Sequence, residues 1–400
     1  MRRTFVPCAR IVLPVALALF ATAATPAGPA RDADGFRFAV APYAFAFPRD
    51  HAAHPEFRTE WWYYTGHLWE AGASGSGGLP RGGSGGPTTG GDGRRFGYEL
   101  TFFRVGLAGP NTPAPAGARS AWRQRDVVFV HLALTDVNGR RFHYHEAARR
   151  PALGVAGADS SRYAVWLDRS YARLAPGARA HELYGEAPDF TFGLTLDETK
   201  PPVVHGEGGV SRKAAEPGMA SHYYSLTRMA TRGRLRVGDD TLSVTGESWM
   251  DHEFGSGRMS ETHTGWDWFS VQLDDGRELM LYRLRRKDGT VEPYSSGTLV
   301  ERDGASRHLA REQFTITPTG RWTSPRTRAV YPSGWTLELP GESLSLTVTP
   351  ELADQELTAA TMGGVVYWEG AVRVRGTQRG RDLSGKGYVE LTGYTGRAPF

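Results

Sequence analysis

Residues Gly265 to Arg285 read GWDWFSVQLDDGRELMLYRLR, and this run carries the strongest signal of secondary structure in the chain. Apolar and polar residues alternate on both sides of Asp275-Gly276, which is typical of two β-strands joined by a tight turn. A similar aromatic-rich pair occurs earlier, where Thr59 to Leu68 reads TEWWYYTGHL and Phe96 to Val105 reads FGYELTFFRV. These stretches do not sustain the 3.6-residue period of a helix, so we predict strands.

A second repeated unit supports a duplicated β-fold. Gly233 to Gly255 and Gly370 to Gly393 each read as a strand, a polar turn and a Gly-x-x-aromatic-x-acid strand. The matching residues are Gly246, Trp249 and Asp251 in the first copy, and Gly385, Tyr388 and Glu390 in the second. Further strands are predicted at Val127 to Asp136, Phe142 to Glu146, Arg162 to Asp168 and Phe190 to Asp197.

Two copies of one β-unit, divided near Gly255 to Gly265, are the simplest interpretation. An antiparallel barrel of about eight strands leaves no exposed edge and can hold one small ligand. We therefore predict an all-β chain of two tandem antiparallel β-barrels, with a pair of β-sandwiches as the alternative. The predicted domains span residues 36–258, with a Gly-rich insertion at 72–95, and residues 259–400.

Composition limits the classes of function. The chain has 400 residues, enough for two domains, and a net charge of +4 without a dense block of Lys and Arg. We therefore expect no nucleic-acid partner. The insertion contains a formal G-x-S-x-G match at residues 82–86, but the hydrophobic strand and the helix that a nucleophile elbow needs are missing around it.

The N-terminus resembles a targeting segment. Arg2 and Arg3 precede the apolar run Ile11 to Phe20 and the small residues Ala21-Thr22-Ala23. We predict a signal peptide at residues 1–24, a flexible tail at 25–35, and a periplasmic or secreted protein without stable membrane insertion. A retained N-terminal anchor is the alternative. The single cysteine, Cys8, lies within the signal, so the mature chain would have no disulfide.

Four long stretches resemble the AttH and carotenoid 1,2-hydratase family. They are FPRDHAAHPEFRTEWWYYTGHL, SHYYSLTRMATRGRLRVGDDTLSVTGESWMDHEFGSG, GWDWFSVQLDDGRELMLYRLRRKDG and the closing GYVELTGY. The similarity covers roughly Phe36 to Gly396. It implies two lipocalin-like domains that bind an elongated hydrophobic ligand, an isoprenoid or a lipid. Some members of this family hydrate a terminal double bond of a carotenoid without a cofactor.

The resemblance also implies candidate catalytic residues. The acidic residue of the hydratases falls on Asp251, with Trp249 two residues earlier, and a His-x-aromatic pair falls on His222 and Tyr224. Relative to the hydratases, the Trp and Tyr positions are exchanged. The run Asp251-His252-Glu253 is more similar to AttH proteins than to carotenoid hydratases.

Hydration of an unactivated alkene needs a proton donor and protection of the cation that forms. Burial among Trp and Tyr rings raises the pKa of a carboxyl group, and aromatic faces stabilise a cation. Asp251 beside Trp249 suits the donor, and His222 could hold the proton or orient water. If both residue pairs face the lumen of the first barrel, the catalytic group is complete. Since Tyr388 and Glu390 repeat the pattern, a structural role of Asp251 is the alternative.

Ligand contacts are predicted from the alternating aromatic strands. The candidates are Trp61, Tyr63, Tyr98, His131, Trp266 and Trp268. Core packing is the alternative for each of them.

Metal and nucleophile sites are not predicted. Three groups of residues contain closely spaced histidines: His51 with His54, His143 with His145, and His252 with its acidic neighbours. None has a third ligand at a diagnostic spacing, so we expect no functional metal and no cofactor. A serine hydrolase is unsupported, since no serine lies between a strand and a helix. The sequence thus leaves two functions open, a binding protein for a hydrophobic ligand and a cofactor-free hydro-lyase.

Overall fold

The computed structural model describes residues 31–72, 93–109, 111–112, 125–177, 179–257 and 259–396. The predicted signal peptide, most of the tail and most of the Gly-rich insertion therefore lie outside the described residues. No helix in the described ranges is long and apolar enough to cross a membrane.

The first half of the described chain forms a sheet of thirteen antiparallel strands. Each predicted strand of this half is confirmed, since the alternating stretches coincide with strands. The bounds are β1 (Thr59–Glu70), β2 (Arg95–Gly106), β3 (Asp126–Asp136), β4 (Arg141–Arg149), β5 (Ala156–Ala158), β6 (Ala164–Leu167), β7 (Ser170–Leu174), β8 (Ala180–Glu186), β9 (Phe190–Glu198), β10 (Val203–Val204), β11 (Ser211–Arg212), β12 (Ala220–Val237) and β13 (Asp240–Gly255).

The second half forms a sheet of ten strands and a separate two-stranded ribbon of β19 and β20. The strands are β14 (His263–Leu273), β15 (Glu278–Arg286), β16 (Ser296–Val300), β17 (Ser306–Leu309), β18 (Thr315–Pro318), β19 (Arg321–Thr323), β20 (Val330–Pro332), β21 (Trp335–Leu339), β22 (Leu344–Pro350), β23 (Glu356–Ala359), β24 (Val365–Gln378) and β25 (Arg381–Thr392). Short 3-10 turns lie at Arg49–His51, Arg311–Gln313 and Pro340–Glu342.

The strand order confirms the internal repeat. The first sheet contains the run β3-β2-β1-β13-β12-β9, and the second contains β16-β15-β14-β25-β24-β22 in the same spatial order. The hairpin predicted at Asp275-Gly276 joins β14 to β15, and Gly276 has the positive φ of 87° that such a turn favours. The all-β fold of two tandem lipocalin-like barrels is therefore confirmed.

Each barrel has its own hydrophobic core. Large side chains such as Trp62, Tyr64, Tyr98 and Phe102 fill the first barrel, and Trp335 and Trp368 belong to the second core. A third apolar cluster contains residues of both sheets, among them Tyr63, Tyr223, Trp249, Trp268 and Tyr388. This third cluster lies where the two sheets pack on each other.

Candidate functional site

A cavity lies between the two barrels. Its volume is about 200 Å³, and both sheets contribute to its wall. The proposed catalytic group required a lumen inside the first barrel. Large side chains such as Trp62 and Tyr64 pack in the core of that barrel, and Asp251 faces the cavity between the barrels instead.

Strand register explains which residues reach this cavity. Directly opposite residues in antiparallel strands point to the same face of a sheet. Tyr63 of β1 is opposite Asp251 of β13, and Trp268 of β14 is opposite Glu390 of β25. All four residues line the cavity. The repeated hairpins therefore present equivalent rows of side chains to one shared space.

Asp251 is the acid at the centre of the first row. It is only 4% exposed, and its carboxylate accepts hydrogen bonds from the indole N–H of Trp249 at 2.6 Å, from the hydroxyl of Tyr223 at 2.7 Å and from the hydroxyl of Ser225. Among the described residues no Arg or Lys forms an ion pair with it. Burial raises the pKa of Asp251 to about 7, although the three donors oppose the rise.

Two further carboxyl groups reach the cavity from the second sheet. The indole N–H of Trp266 donates to Glu390 at 2.6 Å, and burial raises the pKa of Glu390 to about 8. Glu369, opposite Glu390 on β24, accepts a hydrogen bond from the Tyr63 hydroxyl at 2.7 Å across the interface. Burial also raises the pKa of Glu369 well above its usual range. These groups hold protons near neutral pH.

A third polar group lies on the wall formed by β2, β3 and β24. Tyr367 contacts the His131 ring nitrogen Nδ1 at 2.6 Å and donates to Glu99 Oε1 at 3.4 Å. Burial lowers the pKa of His131 to about 3 and raises that of Glu99 to about 7. His131 Nε2 and Glu99 Oε2 are buried without a hydrogen-bond partner among the described residues. Burying a polar atom without a hydrogen-bond partner destabilises the fold unless a ligand or water satisfies it.

Aromatic rings form the apolar part of the wall. Trp61, Tyr63, Trp266 and Trp268 all line the cavity, as does His131. Tyr63 and Trp268 meet edge to face across the interface, with ring centroids 5.2 Å apart. Five of the six predicted ligand contacts therefore lie on the cavity. Tyr98 does not, since its ring is buried in the first barrel and its hydroxyl bonds Ser248 at 2.6 Å.

Of the four predicted catalytic residues, only Asp251 and Trp249 lie side by side. Trp249 contacts Asp251, but His222 and Tyr224 point to the opposite face of β12, so their expected position beside Asp251 is wrong. The register pairs Ser225 with Asp251 and Tyr224 with His252. His222 instead bonds the carbonyl of Gly209 at 2.8 Å. A shift of one residue separates the two faces of a strand, and spacing along the sequence does not show it.

Sequence analysis missed six residues of this site: Tyr223, Ser225, Glu99, Glu369, Tyr367 and Lys213. Tyr223 has the clearest signal, since it lies within the quoted run SHYYSL next to the chosen His222 and Tyr224. Glu369 and Glu99 lie in ordinary alternating strands, and their burial follows from the packing of one sheet on the other. Glu390 was recognised only as the repeat partner of Asp251.

Lys213 lies beside Asp251 on the same wall of the cavity. The ammonium of Lys213 is 3.2 Å from Glu253, and it also lies over the rings of Tyr223 and Tyr282, 5.2 and 4.4 Å from their centroids. This arrangement neutralises Glu253, the acid two residues from Asp251 on the same face of β13. Asp251 thus remains the acid of this wall that is held only by neutral donors.

Sequence and structure comparisons agree with this architecture. The profile described as AttH-like matches residues 86–394. This chain belongs to the AttH-like family. A solved structure described as a putative AttH from Nitrosomonas europaea is 30% identical, with a TM-score of 0.74, over 89% of this chain and 98% of that one. No curated protein matches the chain.

A second solved structure has a similar fold. The structure of kievitone hydratase from Nectria haematococca has a TM-score of 0.63 at 14% identity, over 87% of this chain and 92% of that chain. At this identity the likeness establishes a shared two-barrel fold.

Proposed function

We propose that this protein binds an elongated hydrophobic molecule, an isoprenoid or a lipid, in the cavity between its barrels and hydrates a double bond of it. Asp251 is the proton donor. The observation that carries the proposal is the buried Asp251 carboxyl group, which faces an aromatic cavity and is bonded only by neutral donors. A carboxyl with a pKa of about 7 keeps a proton that it can still transfer.

The reaction needs no cofactor. Asp251 donates its proton to one carbon of the alkene, and the pair of π electrons forms the new C–H bond. The other carbon becomes a tertiary cation, which the faces of Trp61, Tyr63 and Trp268 would stabilise. Water then adds to the cation and forms a C–O bond. The proton that this water loses returns the acid to its starting state.

The wall formed by Glu99, His131 and Tyr367 suits the water. His131 is neutral because burial lowers its pKa to about 3, so one ring nitrogen can accept a hydrogen bond. Nε2 of His131 and Oε2 of Glu99 both lack a partner among the described residues. A water held between them would satisfy both atoms and would be positioned to add to the cation, after which its proton returns to Asp251.

A binding protein without chemistry is the second candidate. It is favoured by Glu390, which repeats Asp251 in the second sheet and is also bonded to an indole N–H. An acid present in both copies suits a structural or ligand-orienting role. Both candidates require the same hydrophobic ligand, and both place the protein in the periplasm or outside the cell, where the predicted signal peptide would direct it.

Native mass spectrometry with lipid extraction, on protein purified from its own periplasm, tests the shared part of the proposal. We expect one isoprenoid or fatty-acid-type molecule per chain. Folded protein that carries no such molecule, and that binds none from a panel of squalene, lycopene and fatty acids, would contradict the hydrophobic cavity function.

Hydration itself is tested with acyclic isoprenoids such as squalene and lycopene in water labelled with heavy oxygen. We expect an alcohol that carries the label with the wild type and none with Asp251→Asn. Binding without a labelled product, under conditions where the wild type is folded, would leave the binding protein as the correct candidate.

A further inference from the structure

A histidine and carboxylate cluster lies at the first barrel, away from the cavity between the domains. His51 comes from the 3-10 turn before β1, His181 from β8 and Glu198 from the end of β9. His181 Nε2 lies 3.2 Å from Glu198 Oε1, and His51 Nε2 lies 3.9 Å from the same oxygen. The three ligand atoms lie within 4.8 Å of one another. We propose that these residues bind one Zn²⁺ ion.

Strand pairing brings two of the ligands to one face. His181 on β8 is opposite Leu196 on β9. Glu198 lies two residues after Leu196, so it points to the same face of the sheet as His181. His51 reaches this face from a turn about 130 positions earlier in the sequence. All three side chains are nearly excluded from solvent, with exposures of 3%, 0% and 5% for His51, His181 and Glu198.

The second layer of contacts is that of a metal site. A metal-binding histidine usually uses its other ring nitrogen in a hydrogen bond that fixes the ring. Nδ1 of His51 bonds the hydroxyl of Tyr224 at 2.6 Å, and Nδ1 of His181 bonds the hydroxyl of Tyr64 at 2.9 Å. In both rings Nε2 is the atom that points toward Glu198. Two imidazoles and one carboxylate form a common zinc ligand set that leaves a fourth position open.

A chain of hydrogen bonds sets the tautomer of His51. Glu60, an acceptor, is 2.9 Å from His252 Nε2, so that nitrogen carries the proton and His252 Nδ1 accepts from the hydroxyl of Tyr224 at 3.1 Å. A hydroxyl has one proton, so the Tyr224 oxygen can only accept the bond from His51, whose Nδ1 therefore carries hydrogen. The lone pair of His51 Nε2 is then directed toward Glu198.

His181 Nε2 already lies within hydrogen-bond distance of Glu198 Oε1, at 3.2 Å, whereas His51 Nε2 has no proton to share with that oxygen. A nitrogen lone pair and a carboxylate oxygen 3.9 Å apart cannot form a hydrogen bond, and they repel each other. Arg179 reaches the other carboxylate oxygen of Glu198 at 3.3 Å, but its side chain is 79% exposed. A divalent ion between His51, His181 and Glu198 would replace this repulsion, and the contact between His181 and Glu198, with three coordination bonds.

A neighbouring cluster of the same composition does not have this property. His54, Glu60 and His252 also lie close together. There Glu60 already accepts hydrogen bonds from both histidines at 2.9 Å and from Arg104 at 3.1 Å. Its oxygens are satisfied by protons and by an arginine charge, so a second cation has no free ligand. We therefore assign the ion to the His51 cluster alone.

The metal content of the purified protein tests the proposal directly and does not depend on any activity. The full mature chain is first stripped of metal with a chelator and then incubated with Zn²⁺ or Co²⁺. After unbound metal is removed, inductively coupled plasma mass spectrometry measures the metal that remains bound per chain. We expect one ion per chain and a Co²⁺ absorption spectrum of a low-coordinate nitrogen and oxygen site. A stripped, folded protein that takes up neither ion would overturn the proposal.

Matched variants locate the ion. Glu198→Gln keeps the size of the side chain, and with His181→Gln it should abolish stoichiometric binding, while His143→Gln should bind like the wild type. His143 pairs with Asp189 outside the cluster. Tyr64→Phe leaves all ligands in place and should weaken binding by about 10-fold to 100-fold. Unchanged binding in Glu198→Gln and His181→Gln, or its loss in His143→Gln, would place the ion elsewhere.

Discussion

Asp251 and Glu390 occupy the same place in the two copies of the β-unit, but their surroundings differ. Each faces the shared cavity from the strand beside the aromatic hairpin, opposite Tyr63 and Trp268 respectively. Three neutral donors hold the carboxylate of Asp251, whereas one indole N–H is bonded to Glu390. On the next strand the first copy has Ser225 where the second has another acid, Glu369.

The difference shows how a duplicated site diverges. Donors around Asp251 stabilise its charged form and keep its pKa near 7, so it can both lose and regain a proton. Burial raises the pKa of Glu390 to about 8, the nearby acids Glu99, Asp251 and Glu253 add to the rise, and the Trp266 indole opposes it. We infer that the first copy carries the reacting acid, while the second keeps protonated carboxyl groups against the same ligand.

The largest expected effect is a difference in hydration rate between variants of Asp251 and Glu390. Asp251→Asn removes the proton donor, so hydration should fall by about 10²-fold to 10⁴-fold. Glu390→Gln keeps a neutral side chain of the same size and should lower the rate by less than about tenfold. Rates are measured with the isoprenoid that the wild type hydrates, and circular dichroism checks the fold of both variants. Equal losses in the two variants would mean that the acids act as a pair.

The pH dependence of turnover should follow Asp251 and not Glu390. The reactive form is the protonated acid, whose fraction decreases as pH rises through about 7. The rate should therefore decrease about tenfold per pH unit above that value, because each unit removes nine-tenths of the remaining acid. Glu390→Gln should leave the position of the decrease unchanged. If the pH at which turnover decreases shifts in Glu390→Gln, the titrating proton belongs to Glu390.

Stability should reveal the proton held by Glu390. The folded pKa of Glu390 is raised to about 8, so its contribution to the free energy of unfolding is present at low pH. This contribution is lost as pH rises from near 4.5 through about 8. In Glu390→Gln the side chain does not ionise, so this pH-dependent loss of stability is absent.

Relative to the wild type, the Glu390→Gln variant should therefore gain stability as pH rises. One pKa unit corresponds to about 1.4 kcal/mol, and water in the cavity offsets part of the shift, so we expect about 2 kcal/mol between about pH 5 and pH 9. Urea unfolding at both pH values measures the difference. In Asp251→Asn the corresponding gain should end nearer pH 7. A difference for Glu390→Gln that does not depend on pH would contradict the raised pKa.

The sequence predicted the fold and the aromatic wall better than the acid site. Period-two alternation and the duplicated hairpin are local signals, so the strands could be predicted, and five of the six proposed ligand contacts lie on the cavity. The failure at His222 and Tyr224 has a physical cause. Each strand has two faces, and only the register between β12 and β13 decides that Tyr223 shares the face of Asp251.

The smallest predicted effect concerns this missed residue. Tyr223→Phe removes one of the three donors to Asp251 and leaves the ring in place. The carboxylate loses about 1 kcal/mol of hydrogen-bond stabilisation, so the pKa of Asp251 should rise by somewhat less than about one unit. The pH above which turnover decreases should therefore rise by the same amount. We call this pH the alkaline limit of turnover.

Trp266→Phe is the matched variant in the second copy, because it removes the donor to Glu390. It should leave the alkaline limit of turnover in place while raising the pKa of Glu390, which the pH dependence of unfolding would detect. If Trp266→Phe moved the limit and Tyr223→Phe did not, the reacting proton would belong to Glu390. The two copies would then have exchanged the functions inferred from their donors, and the number of donors around an acid would not predict which one reacts.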